Sequence, residues 1–578
     1  MFPVKRSKSG GRGLSLAVGL FLMVAIPLAV IATRQTTRVV SATGNPNPDC
    51  VGVVVVSSQE KSDLLKQLAG QYNATRPTEQ GKCVDVRVNA RASGAAEQAL
   101  AAGWGAAGDG PKPVVWTPAA TSWLGILSQE TARQDRGSPA PLTGESLMQS
   151  PLVLAMPRPM AEALGWPDTP IGWADFLKLA EDPRGWGAHG HPAWGRFQLG
   201  KTSPAQSTSG LHALLAAYYA ATGVSADLSP HDVENPSVRT FVAGVESSVI
   251  HYSSTVSTFF DGLRVADAQG AGMSYVSAIA TEEQQVLAYD ARRPVTPLVA
   301  VYPSDGTMVA DHPFAILNAP WVSPDQRAAA TGFLGWLLKP AQQERFLAAG
   351  FRDHAGHAAA NLTSSSGIVP AGPALILKPP SPAVLDLVRK SWDSIRKRAR
   401  ILIVLDVSGS MEGEKIANVR KAALAAIKSF APDDEVGLWS FSTSVHPLDP
   451  IAPVGSGGAQ VAKDIGSLQA DGATALFEAT RNAVRTVQLD WDPGRINAVL
   501  LMTDGQDSWA HSGDLEALVH DLAGQPAATR VPVFTIGYGS DADLPTLAKI
   551  SSASHGRTYN APDPSRVGAV FTDVISNF

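Results

Sequence analysis

Across 578 residues there are only two cysteines and 17% charged side chains, while no stretch repeats at a solenoid period. Two cysteines exclude a disulfide-dense miniature scaffold and a multi-cysteine zinc or iron–sulfur framework. Catalytic signatures are lacking too. There is no Ser/His/Asp nucleophile motif, no glycine loop of the kind that cradles phosphates and no paired-carboxylate signature, so we expect no enzyme. The histidines cluster only as His189 with His191 and His354 with His357. Neither pair has the cysteine or carboxylate companions of a zinc site. Cationic excess is also missing. Residues 1 to 38 hold six basic and no acidic side chains against a chain total of −5, which leaves −11 on the remainder. An acidic body of this kind is unsuited to nucleic acid.

What is present is an apolar α/β chain, 44% hydrophobic, long enough for several domains. Its 52 glycines and 42 prolines are unpatterned and read as turns. Residues 14–33 form a charge-free run, preceded by Lys5, Arg6, Lys8 and Arg12. Twenty helical residues span about 30 Å, the thickness of a bilayer core. The basic flank predicts a cytoplasmic segment 1–13, an anchor over 14–33, a linker over 34–49 and an exported remainder. A cleaved signal peptide is the alternative, with Ala32 or Ala42 ending a small-residue cleavage site. Cys50 and Cys83 both fall in the exported part, where a disulfide is expected; two unpaired buried thiols are the alternative. Such a bridge closes about 34 residues and restrains the unfolded chain by about 3 to 4 kcal/mol.

From 50 to 375, strands and helices alternate: Val51–Val56, a helix over 60–72, a strand over 83–88, a helix opening at Ser93, and a strand over 114–116. The alternation predicts a parallel sheet covered by helices. Gln149 to Pro157, followed by Ala163-Leu164-Gly165-Trp166, resembles the crossing into a second lobe in bacterial extracellular solute-binding proteins. Tyr302 to Thr307, Asp311 to Leu317 and Pro340 to Phe346 resemble that family's returning segment. The resemblance implies two lobes around a cleft that takes a small solute. Hydroxyls between strand ends and helix starts are the candidate lining: Ser57, Ser58, Ser93, Thr117, Ser150, Thr202, Ser207, Thr208 and Ser209. Each is equally at home as a helix N-cap.

Residues 376–398 read as a linker helix. Leu385, Val388, Trp392 and Ile395 make one apolar face. The last segment, 399–578, alternates strand and helix as a doubly wound Rossmann-like domain. Within it, five large apolar residues, Ile401 to Leu405, form a strand buried on both faces, and Asp406, Ser408 and Ser410 follow at alternate positions around Gly409. One carboxylate and two hydroxyls converging on one point suit a small hard cation. Asp-x-Ser-x-Ser after such a strand resembles the metal-ion-dependent adhesion site of a von Willebrand factor type A domain. Thr474 and Asp504 match the threonine and aspartate that this family uses from later loops. The resemblance implies that Asp406, Ser408, Ser410, Thr474 and Asp504 hold Mg2+, or another divalent cation such as Mn2+ or Ca2+. A protein partner then completes the shell with an acidic side chain. The whole reads as a membrane-anchored, extracellular protein of a periplasmic-binding-protein-like domain and a type A domain. The alternative is the receptor component of an ABC-type transporter.

Overall fold

The computed structural model describes residues 45–578 except 107, 361, 364–365, 510–512 and 565–566. The anchor expected over 14–33 lies outside the described residues. Among the described residues no helix is long and apolar enough to cross a membrane.

Three sheets organise the chain, and the central strand of each, Val51–Ser57, Ser150–Pro157 and Arg398–Asp406, is apolar and buried along most of its length. In the first lobe, the Val51–Ser57 strand lies between Lys82–Ala90 and Val115–Thr117, parallel to both. The parallel expectation is corrected on either side of these three strands. Pro313–Ile316 returns antiparallel against Val115–Thr117, and Thr78–Glu79 pairs antiparallel with Lys82–Ala90. The returning strand has only four residues, too few for an alternation to show. A disulfide joins Cys50 and Cys83 at the start of the two neighbouring strands.

The second lobe is centred on Ser150–Pro157, every residue of which is buried. Ala278–Glu282 and Leu298–Val301 pair with it antiparallel on either side. The chain enters this lobe through residues 147–149 and leaves through Asp311 and His312. A helix over Pro382–Ile395 then lies against helices of both lobes: Ser122–Arg133 of the first, and Thr208–Thr222 and Pro236–Ser247 of the second.

The third sheet runs Val445–Pro453, Glu435–Phe441, Arg398–Asp406, Arg495–Thr503, Val533–Tyr538, Thr558–Ala561. Four adjacent pairings are parallel and only the first is antiparallel. Helices cover both faces, so the carboxyl ends of Arg398–Asp406 and Arg495–Thr503 open side by side at one edge of the layer, where this architecture places ligands.

Candidate functional site

Asp406 ends the central strand and is fully buried. Its Oδ1 accepts the Ser408 amide at 2.7 Å, and its Oδ2 accepts the Thr503 hydroxyl. Burial pushes the Asp406 carboxyl up to about 6, with the charge of Asp504 adding to the push and the two hydrogen bonds opposing it. Ser408 Oγ lies 3.0 Å from Ser410 Oγ, and Ser410 Oγ donates to Asp504 Oδ1 at 2.6 Å. The Lys415 ammonium pairs with the other oxygen of Asp504. Asp406, Ser408, Ser410 and Asp504 thus form one network. Thr474 arrives on a separate loop held to it by two backbone bonds, Gly409 N to Gly472 O at 3.0 Å and Asp471 N to Val407 O at 2.8 Å. The residue that bends is not Gly409. Gly472, at φ +85°, carries the left-handed turn, and a Cβ there would stand 2.6 Å from Thr443 Oγ1.

The donor set fits a small divalent cation. Two carboxylates and three hydroxyls are all oxygens, and two buried carboxylates with one lysine leave negative charge that an ion would balance. Thr503 and Lys415 were not legible beforehand. Thr503 sits inside an apolar strand, and Lys415 reaches back from the following helix, Glu414–Ile427.

Between the two lobes lies a cleft of about 1070 Å³. Of the candidate hydroxyls, Ser58, Ser93, Ser207, Thr208 and Ser209 line it. Ser57, Thr117, Ser150 and Thr202 do not: they are buried behind it, and Ser150 Oγ instead accepts the Gln284 amide at 3.2 Å. Ser58 and Ser207 precede the helices Gln59–Ala74 and Thr208–Thr222, yet neither side chain caps its helix. Ala92 has no oxygen with which to cap Ser93–Ala101. Three helix N-termini, whose first amides lack side-chain acceptors from their caps, therefore open on one cavity. Thr281 Oγ1, fully buried on the same wall, has no hydrogen-bond partner among the described residues.

At the cleft floor, Glu60, Glu282 and His312 bring ligand atoms within 4.8 Å of one another. This cluster joins the first lobe, the second lobe and the returning hinge. A cation already serves it: Lys61 Nζ lies 3.4 Å from Glu60 Oε1 and 3.3 Å from His312 Nδ1. His312 bridges the lobes, its two nitrogens 3.5 Å from Glu60 and 3.3 Å from Glu282. The two histidine pairs noted in the sequence, His189 with His191 and His354 with His357, take no part in it.

Comparison with known proteins identifies both modules. The family model for bacterial extracellular solute-binding proteins matches residues 53–352, and that for the von Willebrand factor type A domain matches 401–573. An uncharacterized protein of Mycobacterium tuberculosis is 26% identical over 98% of this chain and 84% of its own length. Inter-alpha-trypsin inhibitor heavy chain H4 of Bos taurus is 27% identical over 30% of this chain and 20% of its own. Among solved structures, a periplasmic thiamin binding protein aligns over 60% of this chain and 94% of its own at 13% identity and a TM-score of 0.39. A von Willebrand factor type A protein from Catenulispora acidiphila aligns over 31% of this chain and 42% of its own at 22% identity and a TM-score of 0.28. The family model for solute binding covers more than half of the chain, which therefore belongs to the bacterial extracellular solute-binding protein family and carries a von Willebrand factor type A domain behind it.

Proposed function

We propose that this chain is a membrane-anchored extracellular binding protein, without enzymatic activity, that captures a protein partner through a divalent cation in its type A domain. We divide it at 50–375, 376–398 and 399–578, with the anchor over 14–33. The observation that carries the reading is the buried Asp406–Asp504 pair at neighbouring strand ends, linked through Ser408 and the Ser410 hydroxyl, with the Thr474 loop bonded alongside. Asp406, Ser408, Ser410, Thr474 and Asp504 hold Mg2+, or Mn2+ or Ca2+. Two carboxylates only balance the ion's charge, so the bound metal stays attractive to an acidic side chain of the partner.

A second reading is favoured by the cleft: a receptor that delivers a solute to an ABC-type permease. The carboxylates on the cleft lining have neighbours of their own, Glu60 with Lys61, Asp63 with Lys66 and Glu282 with His312. Three helix N-termini and the unpartnered Thr281 hydroxyl are left to offer hydrogen-bond donors and positive partial charge, which suit an acceptor-rich, anionic solute.

The test is Asp406→Ala in the ectodomain. The wild type gains about 2.7 kcal/mol of stability in Mg2+ at a hundred times its dissociation constant, measured by chemical denaturation. The variant folds but gains nothing from Mg2+, and partner capture is lost as it is with chelator. Unchanged Mg2+ stabilisation in the variant would remove the metal site, and capture that survives chelator would remove the adhesion reading while leaving the receptor.

A further inference from the structure

The solute cleft has a third wall. Arg557, Tyr559 and Asp573, all from the type A domain, face the same cavity as Ser93, Ser207 and Thr281 of the two lobes. Arg557 stands at the head of the last strand, Thr558–Ala561, with its guanidinium 5.3 Å from the centre of the Tyr559 ring. The ring is held in turn, since its hydroxyl accepts Asn577 Nδ2 at 2.8 Å. Asp573 is the acidic neighbour. It stands exposed, and the charge of Arg557 acts on its carboxyl.

This wall is fixed to the second lobe. Tyr252 N donates to Asn577 O at 2.7 Å, His251 meets Phe534 edge to face at 5.5 Å, and Tyr275 contacts His555 at 5.4 Å. Any closure of the first lobe on the second therefore carries the first lobe toward Arg557 as well. At about 1070 Å³ the cavity is slightly larger than most small-molecule sites and extends beyond the helix N-termini to Arg557 and Tyr559.

We infer that the type A domain is part of the solute site, with Arg557 the counter-charge for an extended organic anion whose other end rests on the helix N-termini. This rests on the anionic-solute reading of the cleft. It gives the fusion of the two domains a purpose: an occupied cleft touches the type A domain directly.

The experiment needs no knowledge of the natural solute. Both native cysteines are in the disulfide, so Ser257→Cys, at an exposed position on the cleft wall, gives the full-length chain a single thiol for an uncharged fluorophore. Quenching by iodide, an anion, is compared with quenching by neutral acrylamide at low ionic strength. Iodide quenching exceeds that of acrylamide, relative to the free dye. It falls about two- to threefold in Arg557→Gln, is kept in Arg557→Lys, and rises by a similar factor in Asp573→Asn, as expected for one unit charge several ångströms away in water. Acrylamide quenching stays constant throughout. If iodide quenching exceeds acrylamide's but ignores both Arg557→Gln and Asp573→Asn, the third wall is overturned and the anionic cleft stands. If iodide is not favoured in the parent chain, the anionic cleft itself falls and this inference with it. Because Asp573 is exposed, its variant decides the matter even should Arg557→Gln fail to fold.

Discussion

At Glu97 a carboxylate sits 2% exposed in the Ser93–Ala101 helix, with one oxygen lacking any partner among the described residues. Burial raises this carboxyl from its ordinary 4.5 to about 7, against the opposing charge of Arg389 on the linker helix. A raised carboxyl favours the fold where it is protonated in both states, below about pH 4.5. As pH climbs toward 7 the unfolded chain gives up its proton first, so stability falls by about 3 kcal/mol in all. Glu97→Gln removes that loss. The variant is expected to match the wild type in urea midpoint at pH 4.5 and to exceed it at pH 8; equal midpoints at both would show that Glu97 pays no burial cost. The residues of the candidate cation site were legible because Asp406, Ser408 and Ser410 lie within five positions and their spacing carries the chemistry. Glu97, Lys61 and Thr503 were not. A carboxylate in a helix, a lysine beside a glutamate and a threonine in a strand are ordinary in sequence, and become unusual only when distant segments bury them.

The linker helix shows the same limit among elements. Its apolar face, Leu385, Val388, Trp392 and Ile395, was legible from spacing alone, and all four are buried. What they touch was not. Leu385 packs over Gly125 of the first lobe, where an added Cβ would stand 3.2 Å from it, and Arg133 of that lobe pairs with buried Asp386. On the other side, Tyr218 of the second lobe bonds Ser391 at 2.7 Å and Tyr252 meets Trp392 edge to face at 5.0 Å. Spacing reports that a face is buried but not by which partner. The edge strand Val445–Pro453 escaped altogether. Its three prolines and mostly part-exposed side chains resemble a loop, and its place in the sheet comes from pairing with Glu435–Phe441. Trp392→Ala removes a large side chain from where helix, second lobe and type A domain meet. We expect a loss of about 3 to 5 kcal/mol, while Trp392→Phe keeps most of the ring contact and loses less. Denaturation followed by intrinsic fluorescence tests this, and a loss under 1 kcal/mol would mean the helix is not a joint.

For the whole molecule, both modules were legible because each has its own periodicity and motif, whereas their docking was not, because no motif marks it. One apolar core runs from Val51 through the linker helix to Phe578. The junction around Tyr252 is polar as well as apolar: its hydroxyl donates to Glu246 Oε2 at 2.6 Å and accepts Lys397 N at 3.3 Å, while Glu246 pairs with buried Lys201. A boundary placed by sequence at 375 therefore cuts through packing rather than between bodies. The helix beyond it buries Val384, Leu385, Val388, Trp392 and Ile395. At about 1.5 to 3 kcal/mol for each side chain, their burial contributes about 8 to 15 kcal/mol as an upper bound. A whole domain is stable by only about 5 to 15 kcal/mol. A chain of residues 45–375 is thus expected to show no cooperative thermal transition and to bind a dye for exposed apolar surface. A chain of residues 45–397 regains a cooperative transition, because the helix returns to the groove between the lobes. It melts below the intact protein, since Tyr252 and His251 still lack the carboxyl-terminal residues that cover them. Calorimetry of the three chains side by side tests the order, and a 45–375 chain that melts cooperatively within a few degrees of the intact protein would show that the helix is an accessory to the two lobes and not part of their core.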